Sequence, residues 1–165
     1  MATRRILEFL DGNQARYVLV RHSPAYTASQ VAQSAHIPGK NMAKVVIVMA
    51  GGRLALAVVP ATQDVDMEQL QAETGKTDVR LADEAEFTER FEGCKLGSVP
   101  PFGSVFGMET YVDRALAGSQ YIAFNAGTHT DVIVMDFGEY CRLAKPRLVN
   151  IGMKPVEDPY HVAQL

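Results

Sequence analysis

The chain has 165 residues, 47% of them hydrophobic and 21% charged, and its formal net charge is −3. This composition is typical of one globular domain with a hydrophobic core. The negative balance excludes a protein that coats nucleic acid through excess positive charge, so any contact with RNA must be local. No apolar run approaches the roughly 20 residues needed to cross a bilayer, and the first residues lack the apolar core of a signal peptide. We therefore expect a cytoplasmic protein with no membrane partner.

The first half of the chain predicts two helices and three strands. An amphipathic helix over residues 3–10 precedes a strand at residues 17–20. Residues 27–36 begin with the Thr-x-x-Gln pattern of a capping box and predict the second helix. The β-branched runs at residues 44–49 and 54–59 are separated by a Gly-Gly turn, which predicts a β-hairpin.

The second half continues with helices and strands in irregular order. Asp66 and Asp83 are expected to be the N-caps of helices over residues 67–73 and 84–91, with a short strand at 79–81 between them. Three further strands and a last helix are predicted at residues 109–112, 121–124, 131–135 and from 136 towards Pro146. Because hairpins and helices alternate without a regular βαβ rhythm, the pattern predicts one α/β domain over residues 1–165, with a mixed sheet flanked by helices.

The sequence lacks the motifs that are typical of several well-known enzyme classes. The chain has no phosphate-binding P-loop, no dinucleotide-binding glycine fingerprint and no Gly-x-Ser-x-Gly motif. Cys94 and Cys141 form no close-spaced motif and are expected to be structural or surface thiols. The four histidines are likewise scattered, at His22, His36, His129 and His161. We therefore predict no metal and no cofactor.

Polar residues at the ends of predicted strands fall in four segments, at residues 22–27, 41–44, 97–103 and 124–130. They read His-Ser-Pro-Ala-Tyr-Thr, Asn-Met-Ala-Lys, Gly-Ser-Val-Pro-Pro-Phe-Gly and Phe-Asn-Ala-Gly-Thr-His-Thr. With a strand exit ending at Thr62 and an aspartate after a strand at Asp113, this ordered set resembles the YbaK/ProX family from about residue 17 to 144. That family includes the editing domain inserted in some bacterial prolyl-tRNA synthetases.

The resemblance implies a mixed, partly barrel-like sheet surrounded by helices, and a free-standing enzyme that hydrolyses wrongly charged aminoacyl-tRNA. The catalytic residues carried over are Lys44, Gly97, Pro100, Pro101, Gly127 and His129. The substrate-binding residues carried over are His22, Tyr26, Thr27, Ser98, Val99, Phe102, Gly103 and Thr128. Small amino acids such as alanine or cysteine on proline tRNA are the substrates that the family offers. Residues 91–96 lack the Thr-Gly approach to the loop found in many relatives, so the discriminated amino acid stays open.

Ester hydrolysis requires a positioned water, donors for the developing oxyanion and a selective pocket. The ammonium of Lys44 could hold a terminal phosphate or the ester carbonyl; alternatively, it is a lysine that protects a sheet edge. The proline loop could direct the N–H groups of Ser98, Val99, Phe102 and Gly103 at the substrate, or it could be a rigid surface turn.

Two aromatic side chains have open roles of the same kind. His129 could orient the attacking water or be a solvated loop residue. Tyr26 could stack on the terminal adenosine beside His22, or be a buried tyrosine with a satisfied hydroxyl. Because no nucleophile has an adjacent base, direct attack by water, assisted by the ribose hydroxyl of the substrate, is the simpler mechanism.

The expected partner is the acceptor end of aminoacyl-tRNA, with an aminoacyl-tRNA synthetase as a further candidate. The cations expected near the site are few, at Arg21, Lys40, Lys44 and Arg53, which favours a small footprint on the RNA. Two other functions stay open at this point. One is a non-catalytic module that binds aminoacyl-tRNA ends or aminoacyl-nucleotides, and the other is hydrolysis of a different small ester or amide.

Overall fold

A computed structural model describes residues 2–95 and 97–155 as a mixed α/β domain. The helices are α1 (Ala2–Gly12), α2 (Ala28–Ser34), α3 (Met67–Thr74), α4 (Glu84–Phe87), α5 (Arg114–Ala117) and α6 (Phe137–Ala144). The strands are β1 (Val18–Arg21), β2 (Ala43–Ala50), β3 (Arg53–Pro60), β4 (Asp64–Val65), β5 (Arg80–Leu81), β6 (Glu109–Asp113), β7 (Tyr121–Asn125), β8 (Asp131–Asp136), β9 (Arg147–Val149) and β10 (Gly152–Met153). Single 3₁₀ turns cover Thr88–Phe91 and Gly103–Phe106.

The strands form three sheets. The largest has the order β5-β2-β3-β6-β9, in which β6 runs parallel to both of its neighbours while the remaining pairs are antiparallel. A second sheet, β1-β8-β7, is antiparallel throughout, and β10 pairs with β4. The predicted mixed sheet is therefore confirmed. The partly barrel-like expectation needs refinement, because the described strands form separate sheets and close no barrel.

The two larger sheets meet at one junction. A parallel bridge pairs Met42, just before β2, with Ala123 in β7. The amide of Ala123 donates to the carbonyl of Asn41 at 2.9 Å, and the side-chain amide of Asn41 donates to the carbonyl of Tyr121 at 3.2 Å. Since β2 and β7 run in the same direction from a parallel bridge, residues two positions further along both strands emerge on the same side of the junction.

Alternation along the strands gives the five-stranded sheet two buried faces. Ile47 packs in the core shared with the three-stranded sheet, α1 and α6. Val46 and Val48 pack on the opposite face, which α3 covers with Leu70. Lys44 has the same parity as Val46 and Val48 and so belongs to the α3 face.

Most local predictions are confirmed because short-range chemistry decides them. The hydroxyl of Thr27 accepts from the amide of Gln30 at 3.2 Å, and the side chain of Gln30 accepts from the amide of Thr27 at 3.3 Å. This reciprocal pair is the predicted capping box. Asp66 caps α3 by accepting from Gln69 at 3.1 Å. The predicted helix at residues 84–91 differs, since only its first turn is α-helical and the rest is 3₁₀.

Asp113 has a structural role. Its side chain is buried, and one carboxylate oxygen accepts from the amides of Ile151 and Gly152, each at 2.8 Å. The other oxygen accepts from Ala115 at 3.0 Å and caps α5. This aspartate therefore fixes the return of the chain towards β10.

The proline loop is part of the core. Every residue from 98 to 103 is buried, and the hydroxyl of Tyr140 donates to the carbonyl of Pro101 at 2.7 Å. The fully buried ring of Phe102 meets the rings of Phe9, Phe124 and Tyr140 edge-on, with centroids 5.1 to 5.5 Å apart. The alternative of a rigid surface turn is wrong, because the loop packs between helices and sheet.

Among the described residues, no helix combines the length and the apolar composition that a membrane span requires.

The end of this loop tolerates no added methyl group. A Cβ at Gly103 would lie 2.5 Å from both the carbonyl oxygen of Met108 and Oγ1 of Thr110. We expect Gly103→Ala to lower the free energy of unfolding by about 2 kcal/mol, measured by urea denaturation, because the surrounding atoms must shift. The matched control is Gly12→Ala, since a Cβ at Gly12 meets nothing within 4 Å. Equal stability of the two variants would contradict this packing.

Candidate active site

The loop and the β7–β8 turn are held together by backbone hydrogen bonds. The amide of Lys95 donates to the carbonyl of Gly127 at 3.1 Å, and the amide of Gly127 donates to the carbonyl of Ser98 at 2.8 Å. The side-chain amide of Asn125 donates to the carbonyl of Gly97 at 3.3 Å. Gly97 and Gly127 have φ values of 80° and 95°, which explains why both positions are glycine. The proline loop and the β7–β8 turn therefore lie next to each other.

Residues 22–27 pack against the same turn. The amide of His22 donates to the carbonyl of Thr130 at 2.8 Å, and the amide of Ala25 donates to the carbonyl of His129 at 3.1 Å. The ring of Tyr26 lies against that of His129, with centroids 4.9 Å apart. Tyr26 is 58% exposed, so the alternative of a buried tyrosine is wrong and its ring is accessible for stacking.

A polar cluster fixes the other side of the turn. The hydroxyl of Thr128 donates to the buried carboxylate of Asp131 at 2.7 Å, and Nε of Arg21 approaches the same group at 3.2 Å. Burial acts to raise the pKa of Asp131, but hydrogen bonds from Thr128 and Arg21 and the positive charge of Arg21 outweigh it and lower that pKa. The hydroxyls of Thr128 and Thr27 are thus both engaged in local structure, the latter as a helix cap.

His129 is held in its neutral form near pH 7. Partial burial lowers the pKa of its imidazole below the ordinary 6.5, and the nearby positive charge of Lys95 lowers it further. A neutral imidazole keeps one nitrogen as a hydrogen-bond acceptor. The ring can therefore accept from a water or from a substrate ammonium group.

Lys44 emerges at the junction of the sheets. Its ammonium forms an ion pair with Asp64 at 2.6 Å, and about one fifth of each side chain is exposed. β2 pairs with β3 along its whole length, whereas β5 pairs only with Val48 and Met49, so these pairings do not test the alternative of an edge-protecting lysine at Lys44. Asp64 was missed by sequence reasoning, since contact between residues 20 positions apart leaves no local signal.

Two buried acceptor atoms lie at the same end of the sheets. Nδ1 of His22 lies 2.7 Å from the carbonyl oxygen of Ser23, to which only a protonated Nδ1 can donate, so in the neutral ring Nε2 is an acceptor. Nε2 of His22 and Oδ1 of Asn125 are buried without a hydrogen-bond partner among residues 2–95 and 97–155. Buried acceptors of this kind require a donor. Asn125 belongs to a motif that sequence reasoning quoted, but it was not selected there.

The predicted loop donors are mostly engaged elsewhere. The amides of Ser98, Phe102 and Gly103 donate to Lys95 O at 3.0 Å, Pro100 O at 2.8 Å and Thr110 Oγ1 at 2.8 Å. The expectation that these three point at a substrate is therefore wrong. The amide of Val99 has no acceptor within the described part of the chain, although its side chain packs in the core. Phe102 is fully buried, so its side chain supports the loop and presents no surface to a ligand.

Arg53 also lies elsewhere than expected. It pairs with Ala50 at the turn of the β2–β3 hairpin, whereas Lys44 pairs with Val59 at the other end. Six residues along a strand span on the order of 20 Å. The small cluster of cations expected around Lys44 therefore does not include Arg53.

Comparison with known proteins bears on what this arrangement does. The family model of the aminoacyl-tRNA editing domain matches residues 22–143, which is most of the chain and includes the junction and the turn. The chain belongs to this family. The YbaK/ProX resemblance, the aminoacyl-tRNA substrate class and the expectation of an enzyme are thereby confirmed, and a purely binding module is disfavoured.

Curated relatives of this editing-domain protein include the multifunctional Ser/Thr-tRNA deacylase ProXp-y of Escherichia coli strain K12. The two are 28% identical over 152 residues, which cover 89% of this chain and 90% of the relative. The protein of the same name from E. coli O157:H7 matches with the same identity and coverage.

A solved structure proposed to be a trans-editing enzyme for prolyl-tRNA synthetase has the same fold as this editing-domain protein. Its TM-score is 0.78 at 21% identity, covering 92% of this chain and 97% of that one. Within the described residues of our protein, no group of three or more His, Cys, Asp or Glu side chains is arranged to hold a metal ion.

The Asp131 cluster predicts a pH-dependent contribution to the stability of this editing domain. Because the pKa of Asp131 is lowered by folding, its contribution is complete above the ordinary value of 3.8 and is lost as the pH falls through the folded value. We expect Asp131→Asn to cost about 1 to 3 kcal/mol at pH 7, measured by urea unfolding, and less at progressively lower pH. The exposed Glu92→Gln serves as the control; a cost for Asp131→Asn that grows on acidification would contradict the assignment.

Proposed function

We propose that this protein removes small amino acids from wrongly charged tRNA in trans, by hydrolysis of the ester to the terminal ribose with a positioned water. Family membership and the deacylase relatives support the reaction. The main support for the position of the active site is the junction of the two sheets. There Lys44 on β2 and Asn125 on β7 each follow the Met42–Ala123 bridge by two residues. This register places a lysine and an asparagine at equivalent positions of the two strands, and the asparagine is hydrogen-bonded to the loop that holds the glycine turn.

Lys44 stabilises charge on the ester carbonyl. As water attacks, the carbonyl oxygen becomes an oxyanion, and a pre-positioned ammonium lowers the free energy of that state more than it lowers the free energy of the ground state. The ion pair with Asp64 restricts the side chain to one direction and requires no rearrangement during the reaction. Asp64 is therefore a positioning residue in this proposal.

The two buried acceptors bind donors of the substrate. Nε2 of His22 and Oδ1 of Asn125 complement an α-ammonium group or a ribose hydroxyl, both of which carry hydrogens to donate. The exposed ring of Tyr26, next to His129, provides a flat surface on which the terminal adenine stacks. Gly97, Ser98, Pro100, Pro101 and Gly127 contribute by holding the turn in place.

Neutral His129 orients the attacking water. The water oxygen bonds to the carbonyl carbon, the bond from that carbon to the ribose oxygen breaks, and a proton reaches the leaving ribose oxygen. This yields the free amino acid and uncharged tRNA without a covalent enzyme intermediate. The neighbouring ribose hydroxyl of the substrate assists this proton transfer in the proposed mechanism.

The substrate choice has two candidate sets. Alanine and cysteine on proline tRNA follow from the family resemblance, and the name of the E. coli relatives adds serine and threonine. All four side chains are small. Partnership with a synthetase that supplies the wrongly charged tRNA belongs to the same proposal.

The test is release of labelled amino acid from a panel of tRNAs charged with alanine, cysteine, serine, threonine or their cognate residues. We expect release well above the spontaneous rate from at least one wrongly charged tRNA and little from the correctly charged ones. Release from free aminoacyl esters at the same rate, without any need for RNA, would instead support a general esterase. Tight binding without release would overturn the enzymatic proposal.

Replacement of Lys44 tests the oxyanion role. We expect Lys44→Ala to lower kcat/KM for deacylation by about 10² to 10³, as removal of one oxyanion donor does. Asp64→Asn should cause a smaller loss, because the ammonium remains but is less restrained. The exposed Arg4→Ala, which removes a positive charge from the N-terminal end of α1, is the control, and unfolding curves show whether each variant is folded. A change below about two-fold in folded Lys44→Ala would exclude the role.

The pH profile tests His129. Since its folded pKa lies below 6.5, kcat/KM should be independent of this group at pH 7 and fall as the pH drops through that lowered pKa. His129→Asn should lower the rate and remove this acidic limb. His36→Asn is a suitable control, because His36 is exposed and its left-handed φ of 57° suits asparagine. An acidic limb that persists unchanged in His129→Asn would contradict the proposal.

A further inference from the structure

A second concave region lies at the other end of the five-stranded sheet. One cavity of about 950 Å³ is bordered by the C-terminal ends of α1, α3 and α6 and by the start of β6. An adjoining cavity of about 580 Å³ extends it past the β2–β3 turn. The two share Lys76, Met108, Glu109 and Tyr111 in their walls, and together we call them the cationic groove.

Positive charge dominates this groove although the chain as a whole is acidic. Five lining cations have no carboxylate within ion-pair distance among the described residues: Arg53, Lys76, Arg90, Lys145 and Arg147. A sixth, Arg142, is paired with Glu139. Glu109 is the one carboxylate in the described lining, and it accepts a hydrogen bond from the hydroxyl of Tyr111. Such a surface attracts anions.

Two of these cations lie at the C-terminal ends of helices, where they also stabilise the helices. The guanidinium of Arg147 donates to the carbonyl of Glu73 in the last turn of α3 at 2.7 Å, and Lys145 is the C-cap of α6. Cations at such positions stabilise helix C-termini, each of which carries about half a negative charge. The side chains of Lys76 and Lys145, however, form no hydrogen bond or ion pair with the described residues. Both ammonium groups therefore remain available to an external anion.

The groove lies at the end of the sheet, bordered by α1 and α6 from one face and by α3 from the other, and two of its cations occupy strand positions of the face that carries Lys44. Arg53 has the parity of Ala55 and Ala57, and Arg147 that of Val149, all of which pack on the α3 face to which Lys44 belongs. The helix α3 connects the two regions, since Asp64 precedes it beside Lys44 and Lys76 follows it in the groove. The separation is on the order of 20 Å along β3.

We propose that the cationic groove binds backbone phosphates of the tRNA beyond its 3′ end while that end occupies the active site. This inference rests on the proposed function for the identity of the RNA. A separation on the order of 20 Å is one that a single-stranded 3′ end and the first base pairs of a stem span. Long cationic side chains around an open groove, exposed at every unpaired cation except the half-buried Lys76, suit a sequence-independent phosphate backbone better than a small enclosed ligand.

The experiment measures binding of uncharged tRNA as a function of salt, so it does not depend on hydrolysis. We expect Lys76→Gln and Lys145→Gln each to weaken binding several-fold and to reduce the slope of log K against log salt by about one unit. The double variant should lose about two units. Arg4→Gln removes the same charge from the N-terminal end of α1, outside the groove, and should change neither quantity.

A short aminoacylated oligonucleotide, limited to the 3′-terminal nucleotides, separates groove from active site. Its hydrolysis should be equal in wild type and in the double variant, because it cannot reach the groove. Unchanged tRNA affinity in the double variant would overturn the groove proposal, as would equal losses in Arg4→Gln. A lower unfolding midpoint without weaker tRNA binding would also overturn it and assign the cations to the helix ends alone.

The two proposals can fail separately. Loss of uncharged tRNA binding in the groove variants, with no hydrolysis of any charged tRNA by wild type, would retain the groove and reject the deacylase mechanism. Hydrolysis that needs Lys44, combined with groove variants that bind tRNA as wild type does, would reject the groove alone.

Discussion

The parallel bridge between Met42 and Ala123 is the contact on which the candidate site depends. The bridge joins the five-stranded sheet, through β2, to the three-stranded sheet, through β7. Because the bridge is parallel, both strands leave the junction in the same direction. Lys44 and Asn125 therefore occupy equivalent positions, each two residues beyond the bridge. The turn after β7 is then fixed to the buried proline loop by hydrogen bonds from Gly127, Lys95 and Asn125. Rigidity of the core is thereby transmitted to the groups that we propose contact the substrate.

The proline loop explains how stiffness serves this site indirectly. The phenyl ring of Phe102 packs against aromatic side chains, and the amides of the loop are largely engaged inside the protein. The loop therefore supplies carbonyl groups that hold the glycine turn, whereas the polar groups proposed to contact the substrate belong to β2, β7 and residues 22–27. In our proposal the conspicuous loop sequence therefore gives structural support, in place of the catalytic role that the family resemblance implies.

Local chemistry explains which features the sequence could predict. Capping residues Thr27 and Asp66 and the β2–β3 hairpin are determined by neighbours a few positions away, and all were predictable. The two- and three-residue strands near Asp64 and after Arg147 were not, because their pairing depends on distant partners. The Lys44–Asp64 ion pair was missed for the same reason, and Arg53 was wrongly expected near Lys44. The family resemblance identified the turn around Gly127 as part of the site. Only the structure shows that Asn125 has a buried oxygen without a partner among the described residues, whereas Phe102 is fully buried and offers no surface to a ligand.

The most direct measurement is a crystal structure with an aminoacyl-adenosine analogue in which a stable amide replaces the ester. The account predicts the amide carbonyl oxygen within about 3 Å of the Lys44 ammonium, the amino or ribose donors at Asn125 Oδ1 or His22 Nε2, and the adenine on the ring of Tyr26. An analogue bound away from the junction of the two sheets, or one whose carbonyl points away from Lys44, would contradict it.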